Sequence, residues 1–333
     1  MNGGGLKKIL FILFGAGIAF GTLEILCRWV SPPPKVALQG LTHISKDSSL
    51  PCELTPNFTG KNHGVEIRTN RFGWRDREWK PHVDHHHPRI LLVGDSFVLG
   101  LDVPLENLLG RQIEKYLGEK VEVCMAGCIY YNTSNELLIA QRLVPLLKPD
   151  LILVSYVLND AEPSHRPESP YQIYHRIESW LIFHSRFLFF LRIAIHSSVA
   201  KIQALMGAPD YYTALYQEDQ PGWQENRRSF KAFADFSKST GVPVYFLIWL
   251  ALDRLDATHP YHFIYQKIEA ALRDHSIPHL NLFHAFEGRA APSLWVSSLD
   301  AHPNAIAFQL AAQATTDFLF KKRILRINHD YSP

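Results

Sequence analysis

An α/β domain with a parallel sheet is predicted by two features of residues 89–320. Short apolar runs alternate there with helical patterns, and turn-forming polar residues follow the apolar runs. Ile90–Val93 is the first predicted strand, closed by Gly94 with Asp95 and Ser96 after it. Pro104–Leu117 follows as a helix with proline in its first turn. Val121–Met125 is the second strand, and Asn132–Leu147 is a helix opened by a cap region around Thr133 and Ser134. Leu151–Val157 is apolar almost throughout, the pattern of a parallel strand buried on both faces. Val242–Leu250 and His279–Leu282 are the fourth and fifth strands. His262–Leu272 lies in the helix between them, and Asn304–Phe320 is the closing helix.

Apolar residues make up 47% of the 333 and charged residues 20%, enough to bury a core. The net charge is +2, and the longest basic cluster, Lys321-Lys322-Arg323, ends a helix where cations suit the dipole, so nucleic acid is not an expected partner. Four cysteines form neither a Cys-x-x-Cys pair nor a zinc spacing. Cys124 and Cys128 are close enough to face one another across a bend, although two buried free thiols are the favoured reading. His82 and His85 to His87 sit in a proline-flanked linker without an acidic or thiol partner at ligand spacing, so no metal site is expected.

Residues 1–30 read as a membrane anchor. Lys7 and Lys8 precede a charge-free run over 9–23, Glu24 interrupts it, and Arg28 closes the segment. The span 9–27 is close to the ~20 residues a helix needs to cross a bilayer. A cleaved signal peptide is the competing reading, but no Ala-x-Ala precedes the soluble part. With the positive residues before the span, the amino terminus stays in the cytoplasm and the body is exported. Residues 31–88 form a stalk and irregular extension, begun by Ser31-Pro-Pro-Pro34. Residues 52–72 are read as hairpin-like or irregular, and Asn70–Asp76, with two aromatics and two arginines, as packing against the main domain.

The domain, taken as 89–325, carries an insertion at about 161–235. Within it Trp180–Ile195 is apolar, with Arg186 and Arg192 spaced along it, too charged for a second span. It reads equally as an interfacial helix or lid and as a helix packed on the core.

Ser96 at a strand's carboxyl end stands where open α/β sheets bind ligands and is a candidate nucleophile. Late in the chain, Asp300-Ala-His302 supplies a candidate orienting acid and general base, and Asn159, just past the third strand, a candidate oxyanion donor.

These pieces together resemble the SGNH, or GDSL-type, hydrolase family, and the sequence is similar to its membrane-anchored members. The resemblance rests on four blocks in the family's order: Gly94-Asp95-Ser96, Ala126–Thr133, Leu158-Asn159-Asp160 and Asp300-Ala-His302-Pro-Asn304. It implies a flavodoxin-like three-layer α/β/α sandwich with a parallel sheet and catalysis without metal or cofactor. Ser96 would be the nucleophile, Asp300 and His302 the other triad members, and Ser96, Tyr130 and Asn159 the oxyanion hole. Two places depart from the family pattern. Tyr130 stands where a glycine usually ends the second block, with Gly127 as the alternative donor, and the last block is Asp-x-His rather than Asp-x-x-His.

The expected activity is that of a membrane-tethered, exported serine esterase removing acyl or acetyl groups from a glycan or lipid. An O-acetyltransferase acting on an extracytoplasmic polysaccharide would use the same acyl-enzyme. A degenerate, non-catalytic binding module is the third reading.

Overall fold

The structure, a computed structural model, describes residues 3–30, 36–80, 87–118, 121–163, 181, 184–298 and 300–321. The Ser31–Pro34 stalk, His82, His85, His86 and Trp180 lie outside the described residues. The chain divides into two compact units, one of residues 1–35 with 168–210 and one of 36–167 with 211–333.

The larger unit holds five parallel strands: β1 (Arg89–Gly94), β2 (Glu122–Gly127), β3 (Leu151–Tyr156), β4 (Val244–Ile248) and β5 (His279–Asn281). Their spatial order is β5-β4-β3-β1-β2. β1 and β3 are buried at every residue, as strands covered on both faces must be. The helices that cover them are α1 (Leu109–Tyr116), α2 (Thr133–Leu147), α3 (Pro221–Thr240), α4 (His262–Asp274) and α5 (Ala305–Lys321). α1 packs with α5, and α2 packs with α3. The pleat separates the two pairs. Tyr245 of β4 meets Phe318 of α5, whereas its neighbour Phe246 points the other way onto Phe230 and Phe233 of α3. This is the expected three-layer α/β/α sandwich. Each fully buried aromatic of this kind contributes roughly 1.5–3 kcal/mol relative to exposure.

Three predicted boundaries move for local reasons. The helix predicted over 104–117 is broken at Leu108, whose extended backbone separates a short 3-10 turn, Leu105–Asn107, from α1. The cap of α2 is Asn132, whose side chain accepts from the Ser134 and Asn135 N–H groups while the Asn135 side chain accepts from the Asn132 N–H. Asn304 caps α5 by accepting from the Ile306 and Ala307 N–H groups, so helix begins at Ala305.

From residue 36 onward the extension belongs to the same compact unit as the sheet. Thr59–Asn62 and Val65–Arg68 form an antiparallel hairpin. Asn70–Asp76 packs, as expected. The Asn70 side chain accepts from the Phe72 and Trp74 N–H groups. Asp76 accepts from the Met125 N–H of β2 at 2.8 Å and pairs with buried Arg111 at 3.3 Å. Buried Arg75 donates to the carbonyls of Leu99 and Val103, each at 2.7 Å, and to that of Gly100, and so ties the extension to the segment after Ser96.

In the smaller unit, the Gly3–Val30 helix contains a 21-residue stretch, Leu10–Val30, of mean hydropathy 2.1 with its apolar side chains exposed, long and apolar enough to cross a membrane. Arg186–Leu205 is also a helix of this unit. Glu24, read from sequence as an interruption of the span, caps that helix. It accepts from the Ser185 hydroxyl at 2.7 Å and from the Arg186 and Phe187 N–H groups at 3.1 and 2.9 Å. Phe20 meets Phe187 edge to face. The helix in the inserted segment is thus paired with the amino-terminal apolar helix.

Candidate active site

Parallel register brings three loops to one edge of the sheet. Gly94, the last residue of β1, is level with Gly127, the last of β2, and with Ser155 of β3. Ser96, Tyr130 and Asn159 therefore leave the sheet at a similar height.

Ser96 opens the four-residue helix Ser96–Leu99, with Asp95 as its cap accepting from the Phe97 N–H at 2.9 Å. Gly100 ends the helix in the left-handed region at φ 57°. The helix lies tight against the end of β2. A β-carbon on Gly127 would stand 2.6 Å from the Leu99 nitrogen and 2.9 Å from the Asp95 carbonyl oxygen, so only glycine admits this approach. That close packing gives Gly127 a structural task.

Asp300 and His302 lie on Asp300–Pro303, one arm of a short hairpin with Trp295–Ser297. Residues two apart on a strand project from the same face, which is how the short Asp-x-His spacing works here. Asp300 Oδ1 accepts from His302 Nδ1 at 2.5 Å and from the His302 backbone N–H at 3.0 Å. With Nδ1 carrying the proton, Nε2 is the acceptor, and Ser96 Oγ stands 3.0 Å from it. The hairpin is fixed by the Asn304 amide, which donates to the Ser293 and Trp295 carbonyls at 2.9 and 3.1 Å. Phe97 braces the imidazole from beside, 5.5 Å between ring centres, and is itself set edge-on to Trp249.

Burial works against a charged His302, but the hydrogen bond and charge of Asp300 outweigh it and hold its pKa above the ordinary histidine value of 6.5. Burial also opposes ionisation of Asp300, yet the bond to His302 keeps that carboxyl below its usual range. The dyad is nonetheless accessible, its His302 and Asp300 side chains 46% and 39% exposed.

Tyr130 takes the conformation its position asks of a glycine. Its φ is +65°, and it sits in a turn where the Tyr131 N–H reaches the Cys128 carbonyl at 3.4 Å. Its side chain is largely exposed. The Asn159 amide donates to Asp95 Oδ2 at 3.2 Å, and the Ser96 hydroxyl lies 3.3 Å from the same oxygen. An amide has two N–H groups, so this bond can orient Asn159 while leaving the second as a donor.

Sequence reasoning missed Asp95 as the group that ties Ser96 to Asn159, although it lies inside the Gly-Asp-Ser block. It also missed an acidic layer beneath the site. Asp95, Glu136 and Asp160 are all buried. Thr133 donates to Asp160 Oδ2 at 3.1 Å, whereas neither Glu136 carboxyl oxygen meets a hydrogen-bond partner among the described residues. Burial, then the Asp95 charge, pushes Glu136 well above the carboxylate range, and burial, then Glu136 and Asp95, does the same to Asp160. Among the described residues no group of three His, Cys, Asp or Glu side chains is placed to hold a metal.

No family model matches this sequence, and no curated protein matches it. Solved structures similar to it include that of TesA, at 14% identity over 71% of this chain and 99% of that one, with a TM-score of 0.44. The esterase EstA from Pseudoalteromonas sp., inhibited by monoethylphosphonate, matches at 14% identity over 71% and 98% with a TM-score of 0.43. The lipase/acylhydrolase from Enterococcus faecalis matches at 12% over 71% and 96%, with a TM-score of 0.40. At such identities no residue role passes from them to this chain.

Proposed function

We propose that the chain is a membrane-tethered, exported serine esterase that removes acyl or acetyl groups from a glycan or lipid. The observation that carries this reading is the Ser96–His302–Asp300 relay, with links of 3.0 and 2.5 Å. Ser96 Oγ attacks the ester carbonyl as its proton passes to His302 Nε2, and Asp300 stabilises the imidazolium. The developing oxyanion is met by the N–H groups of Ser96 and Tyr130 and by the Asn159 amide. Collapse expels the alcohol, which takes the proton from His302 and leaves an acyl group on Ser96. Water activated by the same imidazole then releases the acid.

The exposure of the dyad favours hydrolysis over transfer to a polysaccharide, because water has access to the acyl-enzyme. The connected relay weighs against a non-catalytic module. The apolar stretch over Leu10–Val30, with Lys7 and Lys8 before it, supports a tether with the body exported.

The test is turnover of p-nitrophenyl acetate by the full chain in detergent, with covalent labelling by a fluorophosphonate. Wild type is expected to turn over and to label, and Ser96→Ala to do neither. Equal turnover by the alanine variant would overturn the nucleophile assignment.

A further inference from the structure

Two cysteines join the extension to the loop that carries Tyr130. Cys52 lies next to the short strand Glu53–Leu54, and Cys128 is the first residue after β2. They are 76 positions apart in sequence, yet their sulfurs stand 3.6 Å apart and both side chains are buried. The cysteines are thiols in the structure. The backbone is pinned on both sides of the pair. The Tyr131 hydroxyl donates to the Cys52 carbonyl at 3.1 Å, and the Cys128 N–H donates to the Gly94 carbonyl at 3.3 Å. Cys128, expected to face Cys124 if any cysteine, thus has Cys52 as its neighbour.

We propose that Cys52 and Cys128 form a disulfide in the exported protein, a covalent clamp that fixes the Tyr130 loop to the extension. This rests on the exported reading above, because an extracytoplasmic compartment is where such bonds form and persist. The oxidant is an exogenous disulfide, carried by a thiol–disulfide oxidoreductase or a small-molecule thiol couple. One cysteine thiolate attacks a sulfur of that disulfide, makes a mixed disulfide and releases the first thiolate. The second cysteine thiolate attacks the cysteine sulfur of the mixed disulfide, forming the Cys52–Cys128 bond and expelling the second thiolate. Two protons leave the cysteines, and two electrons end on the oxidant. Closing the bond brings the sulfurs to ~2.05 Å, a short movement of two side chains.

Burial, followed by the bond and charge of Cys52, pushes the Cys128 thiol well above its ordinary range, so the folded chain offers little thiolate. Exchange therefore belongs to the folding chain, before the pair is covered. Once closed, the bond is shielded from reductants by the same burial. The functional consequence runs through the loop. Tyr130, two residues beyond Cys128, holds a left-handed backbone that a tyrosine adopts at a cost, and the clamp limits the loop's freedom to relax.

The full chain is expressed with its amino-terminal helix, membranes are collected, and the protein is unfolded in N-ethylmaleimide without reductant and mapped by mass spectrometry. The expected map links the Cys52 and Cys128 peptides and shows Cys27 and Cys124 alkylated. A parallel sample, reduced, unfolded and refolded in a glutathione redox buffer, is expected to show the same link. Alkylation of both cysteines in the membrane sample but a link after refolding overturns the disulfide in the cell and places the fault in the exported reading. Alkylation in both samples overturns the pairing itself. Reduction during refolding is expected to lower the melting temperature by about 5–10 °C in wild type. The same treatment leaves Cys52→Ser/Cys128→Ser unchanged, whereas an equal drop in that double variant overturns the clamp.

Discussion

Ser96 Oγ and His302 Nε2 stand 3.0 Å apart across 206 positions of sequence. The serine is delivered by the end of β1 and the histidine by a hairpin whose Asp300 carboxylate grips both the imidazole and the backbone N–H of His302. Ser96 and His302 are therefore each held by contacts of their own, and the proposed proton transfer needs little motion. Removing either partner should leave the fold intact. Ser96→Ala and His302→Ala are each expected to lower kcat on p-nitrophenyl acetate about 10³-fold or more, with a far-ultraviolet spectrum and melting temperature like wild type. Losses that multiplied in the double variant would show that the two residues do not act as one unit.

The base must be neutral to accept the serine proton, so activity rises as His302 loses its charge. Since Asp300 holds that imidazole above the ordinary value of 6.5, the acid limb of kcat/KM is expected to fall above pH 6.5. In Asp300→Asn the limb moves to lower pH, because the neutral amide no longer favours the imidazolium, and kcat falls by roughly 10³-fold or more as the histidine tautomer is released. A pH profile measured on both proteins checks the shift. An acid limb unmoved by the substitution would assign it to another group.

Much of this site was legible in the sequence, for identifiable reasons. β1 and β3 announce themselves because burial on both faces demands unbroken apolar runs. Ser96, Asn159, Asp300 and His302 were legible because each follows such a run or precedes the closing helix within a recognisable block. The spacing of Asp300 and His302 was ambiguous on paper, since only the strand pleat puts both side chains on one face. Other features depend on contacts distant in sequence. Cys52 and Cys128 meet only once the extension folds onto the end of β2. Glu24 interrupts an apolar run as text and caps a helix more than 160 residues later as structure. The left-handed backbone of Tyr130 was signalled only by its place in the block, where glycine is usual, since the residue type itself argues against it.

That backbone makes a sharp prediction for the oxyanion hole. Tyr130→Gly keeps the N–H and suits φ +65°, so turnover is expected within about threefold of wild type, with stability changed by about 1 kcal/mol or less as relief of strain offsets added chain entropy. Tyr130→Pro removes the donor and cannot hold a positive φ, and kcat is expected to fall about 10²–10³-fold. Near-ultraviolet circular dichroism separates a lost donor from a lost fold. Full turnover by a folded proline variant would remove Tyr130 from the hole and return that task to Gly127.

The acids beneath the site carry the last prediction. Glu136 is fully buried, its carboxyl oxygens lack hydrogen-bond partners among the described residues, and burial raises its pKa well above that of the unfolded chain. A group that binds its proton more tightly when folded contributes stability that is fully present below its unfolded pKa. That stability is lost as pH rises toward the folded value. Wild type should therefore lose this contribution as pH rises above about 4.5, by up to about 1.4 kcal/mol per pH unit for each such group. Glu136→Gln keeps the shape and abolishes the titration, so its stability is expected to fall less steeply over the same range and to exceed that of wild type at pH 8. Urea unfolding at intervals of one pH unit measures both slopes. If they coincide, Glu136 is not the proton-holding group, and Asp160, raised by the same burial, becomes the side chain to replace.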